Sequence, residues 1–348
     1  MTENPKTPHS RLVVYDGWPL AFIPYNPAGL HLLTLLEAPP DGAQRLVLLP
    51  GQARLALPAG CEALVVPTAN NPAGQLAWEQ VRLPRQAARL GASELVLTRP
   101  TPPLAGRVAS VYWPTGEEAD PGGRQSMAGR LRLALAAGGQ TGLGQIIWPA
   151  DLPLPHTGVK VNIRPPRVHP LFYETFPISG ENEALPESFI LYCGPLDPHN
   201  LRLMLAGWSW AAPSLGDETQ LLLLHLAPAR QAEIERLLAE NNLTTSVRGA
   251  VPATLSELAG LYREAAVVVH LGPALPWGDP VAAAMAAGQA LVAVDEPLTA
   301  ARCGPAAYLV PPDNPRTLGA ALLTLIVEEN ANGQLREAAR KQVQAWGL

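Results

Sequence analysis

Two glycines and two histidines in the second half of the sequence stand where backbone and imidazole groups could bind a phosphorylated ligand. Gly194 ends an apolar run, and Gly278 lies two residues before Pro280, where a helical pattern begins. Glycine lets the backbone approach an anion closely, and the free N–H groups at a helix start stabilise a phosphate. His199 follows the Gly194 turn and His270 ends a strand-like run, and imidazole exchanges protons near neutral pH. These residues are candidates for a phosphate-binding site.

Each of these residues also has an ordinary structural explanation. A glycine after a strand commonly makes a tight turn, and Asp279, beside Gly278, can cap the helix that follows. His199 can be a solvated loop histidine, and His270 can be a packed residue at a strand end. The sequence leaves both explanations open.

The cysteines give no support for metal or thiol chemistry. Cys61, Cys193 and Cys303 lie far apart in apolar surroundings, with no Cys-x-x-Cys pair and no neighbouring histidine cluster. This pattern favours buried, reduced thiols over zinc ligands or disulfides. We expect no metal and no resident cofactor, and we assign no catalytic residue.

The composition narrows the class of protein. The 348 residues include 25 basic and 30 acidic side chains, a net charge of −5, with 47% hydrophobic and 16% charged residues. Such a chain is typical of globular domains and unlike disordered or nucleic-acid-binding chains. No apolar run reaches the roughly 18 residues of a membrane span, and the N-terminus shows no export signal. We expect a cytoplasmic protein with neither nucleic acid nor membrane as partner.

The elements that must position these residues follow an alternating pattern, in which short apolar runs bounded by Gly and Pro alternate with helical periodicity. In the first half, strands are predicted at 11–15, 46–49, 63–66, 95–98, 108–112 and 145–148, and helices at 28–36, 76–90 and 126–137. In the second half, strands are predicted at 189–193, 220–226, 244–248, 266–270 and 290–294, and helices at 200–211, 229–241, 254–264, 280–288 and from 315 onward. The fold class is therefore α/β, with two Rossmann-like doubly wound domains.

A proline-rich stretch separates the two halves. Between about residue 148 and residue 186 the helical periodicity disappears and prolines accumulate. We predict an N-terminal domain at 1–172, a linker at 173–187 and a C-terminal domain at 188–348.

Six segments carry a resemblance to a known family. They are 189–198 (FILYCGPLDP), 249–265 (GAVPATLSELAGLYREA), 278–288 (GDPVAAAMAAG) and 306–313 (AAYLVPPD), with weaker matches at 78–84 (WEQVRLP) and 165–172 (PPRVHPLF). The sequence resembles the GT-B glycosyltransferases of family 4, retaining enzymes that transfer a hexose from a nucleotide-sugar donor. We identify it as a degenerate member.

The resemblance implies where ligands would lie. It implies two Rossmann-like domains facing a central cleft, an acceptor-type domain first and a nucleotide-sugar donor-type domain second. Gly29 takes the place of the family's glycine-rich acceptor loop, and His31 is the best-placed ionisable group there, with a packing role as its alternative. With Gly194, His199, His270 and Gly278, Gly29 completes the candidate residues of a residual donor cleft.

The family's donor-binding side chains are missing from the matched segments. Two glutamates fall at Leu275 and Ala283, and a third falls near Ala301. The Arg-Lys pair that clamps the diphosphate falls at His199 and Asn200. Leu and Ala cannot accept a hydroxyl hydrogen bond, and each unpaired hydroxyl in a closed site costs about 1–3 kcal/mol.

The first domain departs from the family pattern too. A His-Asp dipeptide of the family falls at Tyr112 and Trp113. The framework of glycine, proline and apolar residues persists while the chemistry-bearing residues are lost.

Three hypotheses follow. The leading one is a pseudo-glycosyltransferase that acts as a binding or assembly partner, for another glycosyltransferase or another protein subunit. The alternative is an active retaining hexosyltransferase with a rebuilt donor site, which would bind a nucleotide-sugar. The third is a self-assembling structural protein, which would form a defined oligomer. The sequence alone leaves open whether the chain is an enzyme.

Overall fold

The computed structural model describes residues 11–37, 42–53, 56–99, 101, 103–104, 107–115, 127, 130–131, 134–135, 144–173, 185–224 and 231–348. By its contacts the chain divides into two compact units. Unit 1 comprises residues 1–148 and 154–164, and unit 2 comprises residues 149–153 and 165–348. Residues 174–184 of the predicted linker lie outside the described residues.

Unit 1 is built on a seven-stranded sheet with the strand order β3-β2-β1-β4-β5-β6-β7. Its strands are β1 (Leu12–Asp16), β2 (Gln44–Leu49), β3 (Cys61–Val65), β4 (Glu94–Leu97), β5 (Ala109–Tyr112), β6 (Gln145–Pro149) and β7 (Val161–Arg164). Its described helices are α1 (Trp18–Phe22), α2 (Pro27–Glu37), α3 (Pro72–Ala77), a π-helical turn (Trp78–Arg82) and α4 (Leu83–Arg89). The strand pairs from β3 to β6 are parallel.

Unit 2 is built on a six-stranded sheet with the strand order β10-β9-β8-β11-β12-β13, and all of these neighbours pair in parallel. Its strands are β8 (Ser188–Tyr192), β9 (Thr219–Leu224), β10 (Val247–Ala250), β11 (Val267–His270), β12 (Leu291–Val294) and β13 (Ala307–Val310). Its helices are α5 (Pro198–Leu215), α6 (Gln231–Glu240), α7 (Leu255–Glu264), α8 (Pro280–Ala286), α9 (Pro297–Cys303), α10 (Pro315–Val327) and α11 (Glu329–Ala345).

Both sheets have a point where the strand order reverses. In unit 1 β1 pairs with β2 on one side and β4 on the other, and in unit 2 β8 pairs with β9 and β11. In open parallel sheets this topological switch point, at the carboxyl ends of the strands, is where ligands bind. The two doubly wound sheets confirm the predicted fold class.

Helices α5 and α10 pack closely against each other in the core of unit 2. Buried residues of this core include Met204 and Trp208 from α5 and Leu318 from α10. A Cβ added at Gly319 would lie 2.7 Å from the carbonyl oxygen of Gly207, closer than real Cβ atoms approach. Two glycines therefore let the two helix backbones meet.

The structure corrects several predicted elements. The helix predicted at 76–90 is interrupted by the π-helical turn, and the helix predicted from 315 onward is two helices that meet at Glu328. Strand β7 lies in the proline-rich stretch, where no strand was predicted, and α1, α9 and β13 were not predicted either. Most of the helix predicted at 126–137 lies outside the described residues. Among the residues described, no helix is long and apolar enough to cross a membrane.

Candidate functional site

Two candidate residues of unit 2, Gly194 and His270, lie at the switch point between β8 and β11. Gly194 follows β8 and His270 ends β11, and the two strands are hydrogen-bonded neighbours. A Cβ added at Gly194 would lie 2.8 Å from the Tyr192 hydroxyl and 2.9 Å from the Leu271 nitrogen. Gly194 is therefore required by the close approach of the two loops that follow these strands.

His270 is a buried imidazole with unused hydrogen-bonding capacity. It is 3% exposed, and the carbonyl groups of Pro273 and Cys193 lie near its ring, but no described residue makes a well-aligned hydrogen bond to either ring nitrogen. Burial lowers the pKa of His270, while the Asp279 carboxylate and the carbonyl groups of Pro273 and Cys193 act in the opposite direction. The ring is therefore neutral at pH 7 and offers one N–H donor and one acceptor.

His199 is a largely exposed residue beside a carboxylate, and its contact with a ligand stays a prediction. It lies in the first turn of α5, where its Nε2 is 3.3 Å from Asp313 Oδ1, and both side chains are largely exposed. Its backbone N–H donates to Asp197, the N-cap of α5. Burial raises the pKa of Asp197, but the N–H donors of Asn200 and His199 outweigh it and the pKa lies below its ordinary value. A cation at position 199 would thus face two carboxylates.

Sequence analysis missed a guanidinium at the start of α5. Arg202 donates through Nε to the carbonyl oxygen of Pro198, 2.7 Å away, which folds its side chain back toward the first turn of the helix. No described carboxylate pairs with it. The sequence carried a signal for this contact, because Arg202 lies four residues after Pro198. Residues four apart share one helix face, and helical side chains point toward the N-terminus.

Gly278 has a conformational role. Its φ of 65° lies in the left-handed region that L side chains rarely adopt. The next residue, Asp279, is 4% exposed and accepts from the Val281 N–H, so it caps α8 as the structural alternative proposed. The loop from Pro273 to Asp279 is therefore shaped by its own turn and cap.

Arg302, at the end of α9, forms hydrogen bonds with this loop and with Asp151. Its Nε and Nη2 donate to the two carboxylate oxygens of Asp151, at 2.9 and 3.2 Å. Its Nη1 donates to Asp279 at 2.6 Å and to the carbonyl oxygen of Leu275, and its Nη2 also donates to that of Pro276 at 3.2 Å. All five N–H donors of a guanidinium are thus used within unit 2.

The electrostatics of this network favour its ionised form. Arg302 is 1% exposed. Burial alone would lower the pKa of Arg302, but the carboxylates of Asp279 and Asp151 outweigh that effect and raise it. The cation is therefore fully compensated and has no donor left for a ligand.

The positions where the resemblance implies carboxylates hold none in the structure. Leu275 contributes its backbone carbonyl to Arg302, Ala283 is 5% exposed inside α8, and Ala301 lies in α9. Sequence analysis missed two other carboxylates, Asp295 and Glu296, which follow β12, the neighbour of β11. Two consecutive acids directly after a buried strand were the signal for them.

Unit 1 places Gly29 and His31 inside α2. A Cβ added at Gly29 would lie 2.3 Å from the carbonyl oxygen of Pro24, and its N–H donates to Asn26 Oδ1 at 2.7 Å. His31 is fully buried with its ring centroid 5.1 Å from that of Trp113. Gly29 is therefore required by packing, and a contact of Gly29 with a ligand stays a prediction.

A buried charge network in unit 1 was not predicted. Asp16, at the end of β1, accepts from Trp78 Nε1 at 2.8 Å and from Arg99 at 3.1 Å, and Arg99 also contacts Glu79 at 2.8 Å. The guanidinium of Arg99 lies 5.2 Å from the ring centroid of Trp18. The π-helical turn presents both Trp78 and Glu79 to this network, and such turns are frequent at functional sites.

No family model and no curated protein matches the sequence. Solved structures do match the fold. WaaG, a glycosyltransferase involved in lipopolysaccharide biosynthesis, superposes with a TM-score of 0.72 over 95% of both chains at 15% identity. Sucrose-phosphate synthase from Thermosynechococcus elongatus superposes with a TM-score of 0.68 at 16% identity, over 97% of this chain and 94% of that one.

A third match was solved with ligands. HepE from Anabaena, in complex with UDP and glucose, has a TM-score of 0.67 at 16% identity, over 97% of this chain and 95% of that one. Together with the two parallel sheets, these matches define the fold: the chain has the GT-B fold of group 1 glycosyltransferases.

Proposed function

We propose that this chain is a GT-B protein that has lost sugar transfer and works as a binding or assembly partner. The observation that carries the proposal is the Arg302 network, because it directs the polar groups of the Pro273–Asp279 loop into the protein. The same loop has Leu275 where the resemblance implies a carboxylate. The only charged side chain of this loop, Asp279, is bonded to Arg302. The loop therefore offers a ligand neither a charged group nor an acidic proton donor from its side chains.

The size of the expected catalytic loss supports this proposal. Sugar transfer needs charge stabilisation on the departing diphosphate, and removing one such donor costs enzymes about 3–4 kcal/mol. Each unpaired sugar hydroxyl adds about 1–3 kcal/mol. The resemblance implies glutamates at Leu275, Ala283 and near Ala301, and their absence would add to the absence of the Arg-Lys pair that clamps the diphosphate. Together these losses would lower the rate of sugar transfer by many orders of magnitude.

Two measurements on the purified chain test this proposal together. Calorimetric titration with UDP, GDP, ADP and their glucose or mannose conjugates measures binding, and release of free or transferred sugar from the same conjugates measures turnover. We expect no sugar release above the rate without protein. Sustained release, proportional to protein concentration, would overturn the loss of transfer.

The second candidate function is an active hexosyltransferase with a rebuilt donor site. Arg202 favours it, because its bond to the Pro198 carbonyl draws the guanidinium to the first turn of α5, the helix that follows the Gly194 turn. Backbone N–H groups at Gly194 would assist such a site. Under this hypothesis Arg202→Ala or His270→Ala abolishes sugar release in a protein that still melts cooperatively. Unchanged release in both variants would exclude it.

The assembly part of the proposal has its own test. Light scattering over a hundredfold range of protein concentration, about 1 to 100 µM, measures the mass of the particle. A defined oligomer supports self-assembly, whereas a strict monomer leaves another glycosyltransferase or another protein subunit as the partner class.

A further inference from the structure

Helix α9 fastens the loop Gly272–Asp279 with two side chains on one helix face. Thr299 and Arg302 are three residues apart, a spacing that puts side chains on the same face. Thr299 is fully buried; its hydroxyl accepts from the Ala274 N–H at 3.0 Å and donates to the carbonyl oxygen of Gly272 at 3.3 Å. The hydroxyl therefore bridges two backbone groups in the first half of the loop.

Arg302 closes the second half of the same loop. Its N–H groups donate to the carbonyl oxygens of Leu275 and Pro276 and to the carboxylate of Asp279. Thr299 and Arg302 of α9 therefore form hydrogen bonds with five residues of this loop. Asp151 holds the other side of the guanidinium. A loop whose polar groups are satisfied in this way keeps one conformation without a ligand.

This loop borders the switch point of unit 2. It continues directly from His270, whose Nε2 would lie 3.2 Å from a Cβ at Gly272, and that Cβ would also be 2.8 Å from Pro195 Cγ. The loop therefore forms one side of the place where open parallel sheets bind ligands. A side chain at Gly272 would therefore not fit between His270 and Pro195.

We infer that Thr299 and Arg302 are positioning residues, which hold the Gly272–Asp279 loop in the conformation that a nucleoside diphosphate meets at this edge. This inference rests on the second candidate function, in which the chain binds a nucleotide-sugar donor. Neither residue touches the ligand; both act through the loop backbone. Ligand binding would then order the loop little, because α9 has already ordered it.

The test uses the full chain, UDP as the probe and a conservative pair of substitutions. Thr299→Val keeps the size of the side chain and removes the hydroxyl, and Thr299→Ser restores the hydroxyl. The matched control is Thr34→Val, a buried threonine of unit 1 whose hydroxyl donates to the Leu30 carbonyl within α2. Hydrogen exchange at the Ala274 amide and calorimetric affinity for UDP are measured in each protein.

We expect Thr299→Val to speed exchange at Ala274 about tenfold and to weaken UDP binding several-fold, as loss of one buried hydrogen bond predicts. Thr299→Ser should recover both values, and Thr34→Val should change neither, although it lowers the melting temperature comparably. Arg302→Lys, which keeps the charge and loses the fork of donors, should speed exchange at Leu275 and Trp277.

The outcomes separate this inference from the proposed function. Equal Ala274 exchange in the wild type and Thr299→Val overturns the positioning role, whether or not UDP binds. Unchanged UDP affinity with faster exchange overturns it as well, because the loop would then not matter to the ligand. If the wild type binds no UDP, nucleotide binding and the positioning role both fail, while the exchange difference still establishes that α9 holds the loop.

Discussion

At the scale of single residues, Arg302 is predicted to contribute strongly to stability. Arg302→Met leaves the buried Asp279 and the mostly buried Asp151 without their cation, and removing one partner of a buried ion pair costs about 3–5 kcal/mol. We expect the free energy of unfolding, measured by urea denaturation followed by tryptophan fluorescence, to fall by that amount. Arg316→Met, at an exposed arginine of α10, is the control and should change it by less than about 0.5 kcal/mol.

A second residue-scale prediction concerns the pH dependence of stability. Burial lowers the pKa of His169 from 6.5 to about 4, and its Nδ1 accepts a hydrogen bond from the Leu171 N–H. Between these pH values the unfolded chain binds the proton and the native chain does not, so stability falls as pH drops from about 6.5 to about 4. The loss from this residue is about 3 kcal/mol.

His169→Asn tests this pH dependence, because the asparagine oxygen can accept the same N–H and does not titrate. The variant should lose less stability than the wild type between pH 7 and pH 4 in urea denaturation. His156→Asn, at an exposed histidine, is the control, and it should lose as much stability as the wild type between pH 7 and pH 4. Parallel curves for His169→Asn and the wild type would contradict the assignment.

At the scale of elements, the close contact of α5 and α10 depends on the absence of side chains. A Cβ at Gly319 would lie 2.7 Å from both the Gly207 carbonyl oxygen and Trp210 Cε3. Gly319→Ala should therefore destabilise the protein by about 1–3 kcal/mol, as overpacking does. In α11, a Cβ at Gly333 meets no atom within 4 Å, so Gly333→Ala should stabilise the protein by about 0.5–1 kcal/mol.

Thermal unfolding of the two glycine variants checks that prediction. The opposite signs of the two shifts distinguish a packing requirement at Gly319 from a general effect of alanine on helices. A rise of the melting temperature in both variants would show that α5 and α10 can move apart without cost.

The interrupted helix of unit 1 shows that a regular apolar pattern can conceal a local change of helix geometry. The apolar spacing of residues 76–90 predicted one regular helix, and the structure has a π-helical turn at Trp78–Arg82. The wider turn places Trp78 and Glu79 beside each other in the buried network around Arg99. Periodicity cannot reveal this, because Asp16 lies 62 residues from Trp78 along the chain, at the end of β1, and Arg99 follows the neighbouring strand β4.

At the scale of the whole molecule, the three thiols differ in their access to solvent. Cys193 and Cys303 are buried, and burial raises the pKa of each thiol to about 12. Cys61, on the edge strand β3, is partly exposed. We expect a thiol reagent such as dithionitrobenzoate to modify Cys61 in the native chain and the other two only after unfolding in urea, since thiolates are the reacting species.

Absorbance of the released thionitrobenzoate counts the reacting thiols. Cys61→Ser should abolish the fast reaction and leave the count in urea lower by one. A fast reaction that persists in Cys61→Ser would show that a buried thiol opens to solvent in the native protein.

The sequence by itself determined the alternation of strands and helices, because each β-strand of a parallel sheet must be a short apolar run and each crossover helix must have one apolar face. It also located Gly194 and His270 at strand ends that prove to be neighbours. The resemblance added the GT-B fold, which the solved structures bear out. These inferences succeeded because they depend on local pattern and on segment order.

Only the tertiary structure decided what the polar side chains do. Arg302 was an unremarked arginine in the sequence, yet its five donors join Asp151, Asp279 and two loop carbonyls that lie far apart along the chain. The sequence left open whether His199 meets a ligand or is a solvated loop residue, and only the structure shows that Asp313 lies beside it. Such pairings arise where the strands of a sheet end at a common edge, and that edge forms only when the sheet assembles.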